Sequence, residues 1–191
     1  YLGRVVKVTG LVIEAVGLNA GIGELCYIKN NNLKLPCEVV GFENEKVLLM
    51  PLNEIYNIKL NSTVYSTGRV VGIRVGKNLI GRIVDGLGKP IDMKGDIKTD
   101  EYYSIYSTPP NPIKRNRIKN KLITGIKAID SFLTIGEGQR VGLFAGSGIG
   151  KSTLVGMIAR NSKADVNVIA LIGERGREVR EFIEKDLMKA G

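Results

Sequence analysis

Along the first third of the chain, apolar residues come in short runs broken every few positions by glycine, asparagine or proline. Runs such as Arg4-Val5-Val6-Lys7-Val8, 35–40 and 47–50 are rich in β-forming residues, and no helical period interrupts them between positions 2 and 67. Several short strands at regular spacing, with turn residues between, predict a small sandwich or barrel. Glycine becomes frequent over 68–88, and Gly81-Arg82-Ile83-Val84-Asp85-Gly86-Leu87-Gly88-Lys89-Pro90 reads as a strand running into a turn. The boundary falls near residue 70, giving a β-barrel domain over 1–70 and a second domain over 71–191.

The second part has a different rhythm. After Thr108-Pro109-Pro110-Asn111-Pro112, residues Ile126, Ile129 and Leu133 recur at helical spacing and predict a short amphipathic helix. The apolar run 140–145 ends in glycines and is followed by a helix-forming stretch, 151–160. The run 166–172 is a second buried-strand candidate, and it leads into a helix with Val179, Ile183 and Leu187 on one face. Strand, helix, strand, helix implies a parallel α/β sheet.

Composition narrows the chemistry. Apolar residues make up 43% of the 191 positions and charged residues 25%, the balance of a globular chain that buries a core. Basic residues outnumber acidic ones 28 to 19, so an acidic or phosphate-bearing partner is electrostatically favoured. Histidine is absent, which excludes imidazole acid–base catalysis and any zinc site that needs an imidazole. Cys26 and Cys37 are too few for a disulfide scaffold, no apolar stretch approaches the ~20 residues of a membrane span, and a reducing cytoplasm fits best. The start at Tyr1 without methionine or signal peptide, and the end at Gly191 just after a helical pattern, read as those of a fragment.

Gly146-Ser147-Gly148-Ile149-Gly150-Lys151-Ser152-Thr153 lies between a predicted strand and a predicted helix, the setting of a phosphate-binding loop. Small residues let the backbone curl around phosphates, and the N–H groups at the helix start add partial positive charge. Lys151 is then placed to reach the β and γ phosphates, Ser152 supplies the hydroxyl for Mg²⁺, and Thr153 is the alternative. The usual G-x-x-x-x-G-K-[ST] spacing would put a glycine at position 145, where this chain has Ala145.

Gly173-Glu174-Arg175-Gly176-Arg177-Glu178 starts where the second predicted strand stops, and ligand crevices form at the carboxyl ends of such strands. Glu174 stands 23 residues after Lys151, one βα unit, so its carboxylate is a candidate to orient an attacking water by accepting its proton. The bland alternative is a solvated carboxylate near a helix start, favoured there by the helix dipole.

Together, 81–92, 124–130, Gly138-Gln139-Arg140, the phosphate loop and Gly173-Glu174-Arg175-Gly176-Arg177-Glu178 resemble the catalytic subunits of rotary and export ATPases. Phe144-Ala145-Gly146-Ser147-Gly148-Ile149-Gly150-Lys151-Ser152, with its alanine, and Gly173-Glu174-Arg175-Gly176-Arg177-Glu178-Val179-Arg180-Glu181-Phe182 are closer to flagellum-specific and type III secretion ATPases than to the ATP synthase β subunit. The resemblance implies a β-barrel followed by a truncated RecA-like P-loop core that uses ATP and Mg²⁺. It implies a cytoplasmic homohexamer, with peripheral membrane association only, that works on export substrates, chaperones and export-apparatus proteins. By position Lys151 and Ser152 match the phosphate and magnesium residues, Glu174 the catalytic glutamate, and Arg175 a position beside it. The family's Walker B aspartate, arginine finger and adenine pocket would lie beyond Gly191, so this stretch alone is expected to hydrolyse ATP negligibly. Flagellar and virulence-type export share these motifs.

Lys114, Arg115, Arg117, Lys119 and Lys121 put five cations into eight residues, either a solvated connector or an acidic or nucleic-acid contact. A rival reading is a hexameric RNA translocase of the transcription-terminator type, whose barrel carries exposed aromatics; a third is a proton-coupled ATP synthase subunit. In 1–67 the aromatics Tyr1, Tyr27, Phe42, Tyr56 and Tyr65 are scattered, and none interrupts the basic run, so no nucleic-acid partner is expected.

Overall fold

The computed structural model describes residues 2–30, 33–146 and 148–187. It divides into two compact units, 1–109 and 110–191.

The first unit is dominated by a closed barrel of six strands: β1 (Leu2–Thr9), β2 (Val12–Val16), β3 (Glu24–Asn30), β4 (Leu33–Glu43), β5 (Lys46–Pro51) and β6 (Thr63–Val70). They pair antiparallel in the order β1-β2-β5-β4-β3-β6, and β6 returns to β1. Alternation drives closure, because successive side chains point to opposite faces of a strand. Cys26 and Ile28 of β3, Cys37 and Val39 of β4, Ile13 and Ala15 of β2, Leu49 of β5, Val5 of β1 and Val64 of β6 are all fully buried inside. Burial pushes the thiols of Cys26 and Cys37 up to about 12, so these cross-strand partners serve as small apolar residues. Outside, Tyr27 stacks on Tyr65 at 5.5 Å, and the Lys34 ammonium lies 5.9 Å above the Tyr65 ring. Glu14 bridges Lys46 at 2.8 Å and Lys7 at 3.1 Å across three strands, and both cations hold its carboxyl below the usual range.

The barrel's last strand ends at Val70, and the rest of this unit pairs β7 (Gly72–Val75) with β8 (Glu101–Ser104). Between them the predicted strand over 81–90 reduces to one bridge, Val84 to Pro90. Proline has no N–H to give a ladder. Instead the Asp85 carboxylate accepts the N–H groups of Leu87 and Lys89, a turn that competes with pairing. A bidentate pair closes the loop: Arg82 donates to the two oxygens of Asp92 at 2.6 and 2.9 Å, and Asp92 also accepts the N–H groups of Ile83 and Lys94. The Arg82 guanidinium, then those amides, hold the 3% exposed Asp92 carboxyl far below the usual range. A depressed carboxylate adds stability above its unfolded value, near pH 4, and loses it as pH falls. The melting-temperature gap between wild type and Asp92→Asn should therefore be wide at pH 7 and narrow steadily below about pH 4; a gap that ignores pH would show that the charge contributes nothing.

In the second unit β9 (Lys121–Leu122) pairs with β10 (Ile135–Gly136), and α1 (Lys127–Phe132) lies between them in sequence. α2 (Lys151–Asn161) follows, then α3 (Gly176–Glu181), which runs on into a wider π-type turn over Phe182–Leu187. α2 packs against that turn, and Phe182 is its buried side chain at 6% exposure. The helix with Val179, Ile183 and Leu187 on one side is thus present, with all three half-buried. The expected buried strands are not: 140–145 and 166–172 form no ladder among the described residues, and Phe144, Val168 and Ile172 are 96, 91 and 88% exposed. An apolar run becomes a buried strand only when neighbours pair its edges and cover its faces. No helix among the described residues is long and apolar enough to cross a membrane.

Candidate functional site

The glycines before α2 set its entrance. Gly148 and Gly150 both have left-handed backbone, φ 78° and 93°, although a Cβ at either would meet nothing within 4 Å. What demands glycine there is conformation, not space. The turn delivers Lys151, Ser152 and Thr153 as the first three residues of α2, and Gly150 accepts the N–H of Leu154 at 2.9 Å.

The two ends of α2 are treated differently. At its C-terminus the Asn167 amide donates to Ala159 O at 2.9 Å, satisfying a carbonyl left over by the last turn, and the Asn161 amide donates to Met157 O at 2.7 Å. The 123–125 segment braces the same end: Lys163 N–H donates to Ile123 O, and a Cβ on Gly125 would sit 2.4 Å from Asn161 Cβ. That segment is itself pinned by Asp130, whose carboxylate accepts the N–H groups of Thr124 and Gly125 and the Thr124 hydroxyl. The Thr124 N–H is the main reason why the Asp130 carboxyl lies below its ordinary value. At the N-terminus no side chain caps the helix among the described residues. Its first amides stay open to a ligand, with the positive end of the helix dipole behind them.

A cleft of about 200 Å³ opens there, with Lys151, Ser152, Glu174 and Glu178 as its charged and polar groups and Val155, Leu171 and Phe182 among its apolar ones. Lys151, Ser152 and Glu174 are thus brought to one cleft. Gly146, Gly148, Ile149, Gly150 and Thr153 do not line it; Ile149 is 71% exposed. Ser147 lies outside the described residues. Arg175 does not line the cleft; its guanidinium lies 3.4 Å from Glu178, which does. Glu178 was not singled out in the sequence, yet it stands in the first turn of α3 and lines the same cleft as Glu174. The hydroxyl and carboxylate oxygens here are the hard donors that suit Mg²⁺ rather than a thiol-loving metal.

Comparison with known proteins adds identity to this geometry. Residues 5–68 match the ATP synthase alpha/beta family beta-barrel domain, and residues 125–191 match the nucleotide-binding domain of the same family. The flagellum-specific ATP synthase of Bacillus subtilis is 52% identical over 99% of this chain and 44% of its own length. The type 3 secretion system ATPase of Xanthomonas euvesicatoria is 45% identical over 95% of this chain and 42% of its own. Among solved structures, the assembled ATPase EscN of the enteropathogenic E. coli type III secretion system superposes with a TM-score of 0.83 at 40% identity, covering 95% of this chain and 44% of EscN. The chain spans less than half the length of these relatives. Two domain models in the family's own order, and relatives 40 to 52% identical along nearly all of the chain, place it: it belongs to the ATP synthase alpha/beta family, among the flagellum-specific and type III secretion ATPases.

Proposed function

We propose that this chain is the barrel and phosphate-binding part of an ATPase that couples ATP hydrolysis to protein export through a flagellar or type III secretion apparatus. The observation that carries the reading is the convergence of Lys151, Ser152 and Glu174 on one cleft at the uncapped start of α2. The functional division is a barrel over 1–70 and a RecA-like catalytic domain from 71 onward, in which 140–145 and 166–172 join a parallel sheet.

At the head of α2 the glycine turn and the first amides of the helix cradle the phosphates, and in the adjoining cleft the Lys151 ammonium neutralises β and γ oxygens. Ser152 would hold Mg²⁺, which when bound shields phosphate charge. Glu174 accepts a proton from water as that water's oxygen attacks the γ phosphorus and the bond to the β–γ bridging oxygen breaks, leaving ADP. Arg175, paired with Glu178, steadies the segment behind Glu174.

EscN has been solved in assembled form and in complex with its central stalk EscO. We extend assembly to this protein as a homohexamer, cytoplasmic and peripheral to the membrane, that handles export substrates and their chaperones. RNA translocation is the competing reading, and the barrel argues against it: Tyr27 and Tyr65 stack on each other under Lys34 and are not free as base platforms. ATP turnover by the whole protein should be unchanged on adding single-stranded RNA; stimulation that fades with rising salt would favour the translocase.

A further inference from the structure

The basic run 114–121 has no part in the phosphate cleft, and its conformation gives it a shape of its own. Asn111 caps a tight turn over Pro112–Lys114, accepting the Ile113 N–H at 3.0 Å. The chain leaves that turn at Arg115 in extended backbone, φ −74° and ψ 126°, and enters β9 at Lys121. Its far end is tied twice to Glu137, through Asn120 O at 2.9 Å and the Asn120 amide at 3.2 Å. Ile118 closes over Gly136, where a Cβ would come within 2.2 Å of its methyl. Arg115, Arg117 and Lys119 line one polar cleft with Asn116, Asn120 and Glu137, so three cations are gathered there within five residues. All three cations are exposed, and none makes an ion pair among the described residues.

We infer that this cleft docks an extended acidic segment of a partner protein, with carboxylates at alternate positions matching Arg115, Arg117 and Lys119. The cations stand at every second position of the chain, and carboxylates at every second residue of an extended ligand, ~6.7 Å apart, offer each of them a partner. The guanidinium fork suits carboxylates, and the Asn116 and Asn120 amides add neutral donors. Among the described residues no aromatic lines the cleft, which disfavours a single-stranded nucleic acid, since that needs stacking surfaces. This inference does not depend on the nucleotide site.

The test uses the whole protein and a fluorescein-labelled peptide alternating glutamate and serine, with a second peptide carrying the same glutamates in one block. The alternating peptide should bind more tightly. Its affinity should fall about tenfold or more in Arg115→Gln/Arg117→Gln/Lys119→Gln, and by less than about twofold in the charge-matched control Lys29→Gln/Lys59→Gln/Lys77→Gln. The single variant Arg117→Gln should fall between wild type and the triple variant, and circular dichroism checks that each is folded. Equal binding of the two peptides, or equal loss in the two triple variants, would reduce the site to diffuse charge and overturn the inference. So would binding of oligouridylate RNA, or of phosphatidylglycerol vesicles, that is lost in the basic triple variant while peptide binding is not.

Discussion

Glutamine at position 174 of the whole protein is expected to lower kcat by about 10² to 10⁴, the usual worth of a positioned base, with far less change in ATP affinity. The amide keeps the size and hydrogen-bonding reach of Glu174 but cannot take a proton from water. The alternative is a carboxylate that only favours the start of α3, and it predicts a different pair of numbers. Turnover would stay near wild type, while stability would drop by a few tenths to about 1 kcal/mol through the helix dipole. Measuring kcat, nucleotide Kd and melting temperature on one preparation separates the two, and wild-type turnover would remove Glu174 from the chemistry.

Lys151→Ala should weaken ATP binding by about 10- to 10²-fold, the worth of one or two charge-assisted hydrogen bonds to phosphate. The fold should be spared, because Lys151 is exposed and makes no ion pair among the described residues. Exposed substitutions away from such contacts shift stability by about 0.5 kcal/mol or less. Titration with ATP beside a thermal melt checks both halves. Unchanged affinity with an unchanged melt would place the phosphates elsewhere.

Much of the barrel is legible in the sequence, because alternation and turn residues are local. The pairing is less so: β2 joins β5, and β3 joins β6, through contacts between residues far apart in sequence. Bulges after Val5 and Val39 shift the register by a residue, and nothing local announces them. The apolar runs 140–145 and 166–172 carry the composition of buried strands, but burial depends on partners and not on the run itself. At the site the phosphate loop was readable for the opposite reason. Left-handed backbone at 148 and 150 is written into the sequence as glycine. The direction of Arg175 was not readable, since Glu178, three residues on, decides it. Glu178 escaped notice because one carboxylate on a charged helix resembles any other until its neighbours are placed.

The clamp at the far end of α2 has a mechanical consequence. Asn167 grips the tail of the helix at Ala159, and the segment it belongs to runs on to Glu174. The phosphate loop hangs from the head of the same helix, so loop and carboxylate share one chassis. One side-chain amide, bonded to Ala159 O at 2.9 Å, thus ties the stretch that leads to Glu174 onto the helix that carries Lys151 and Ser152.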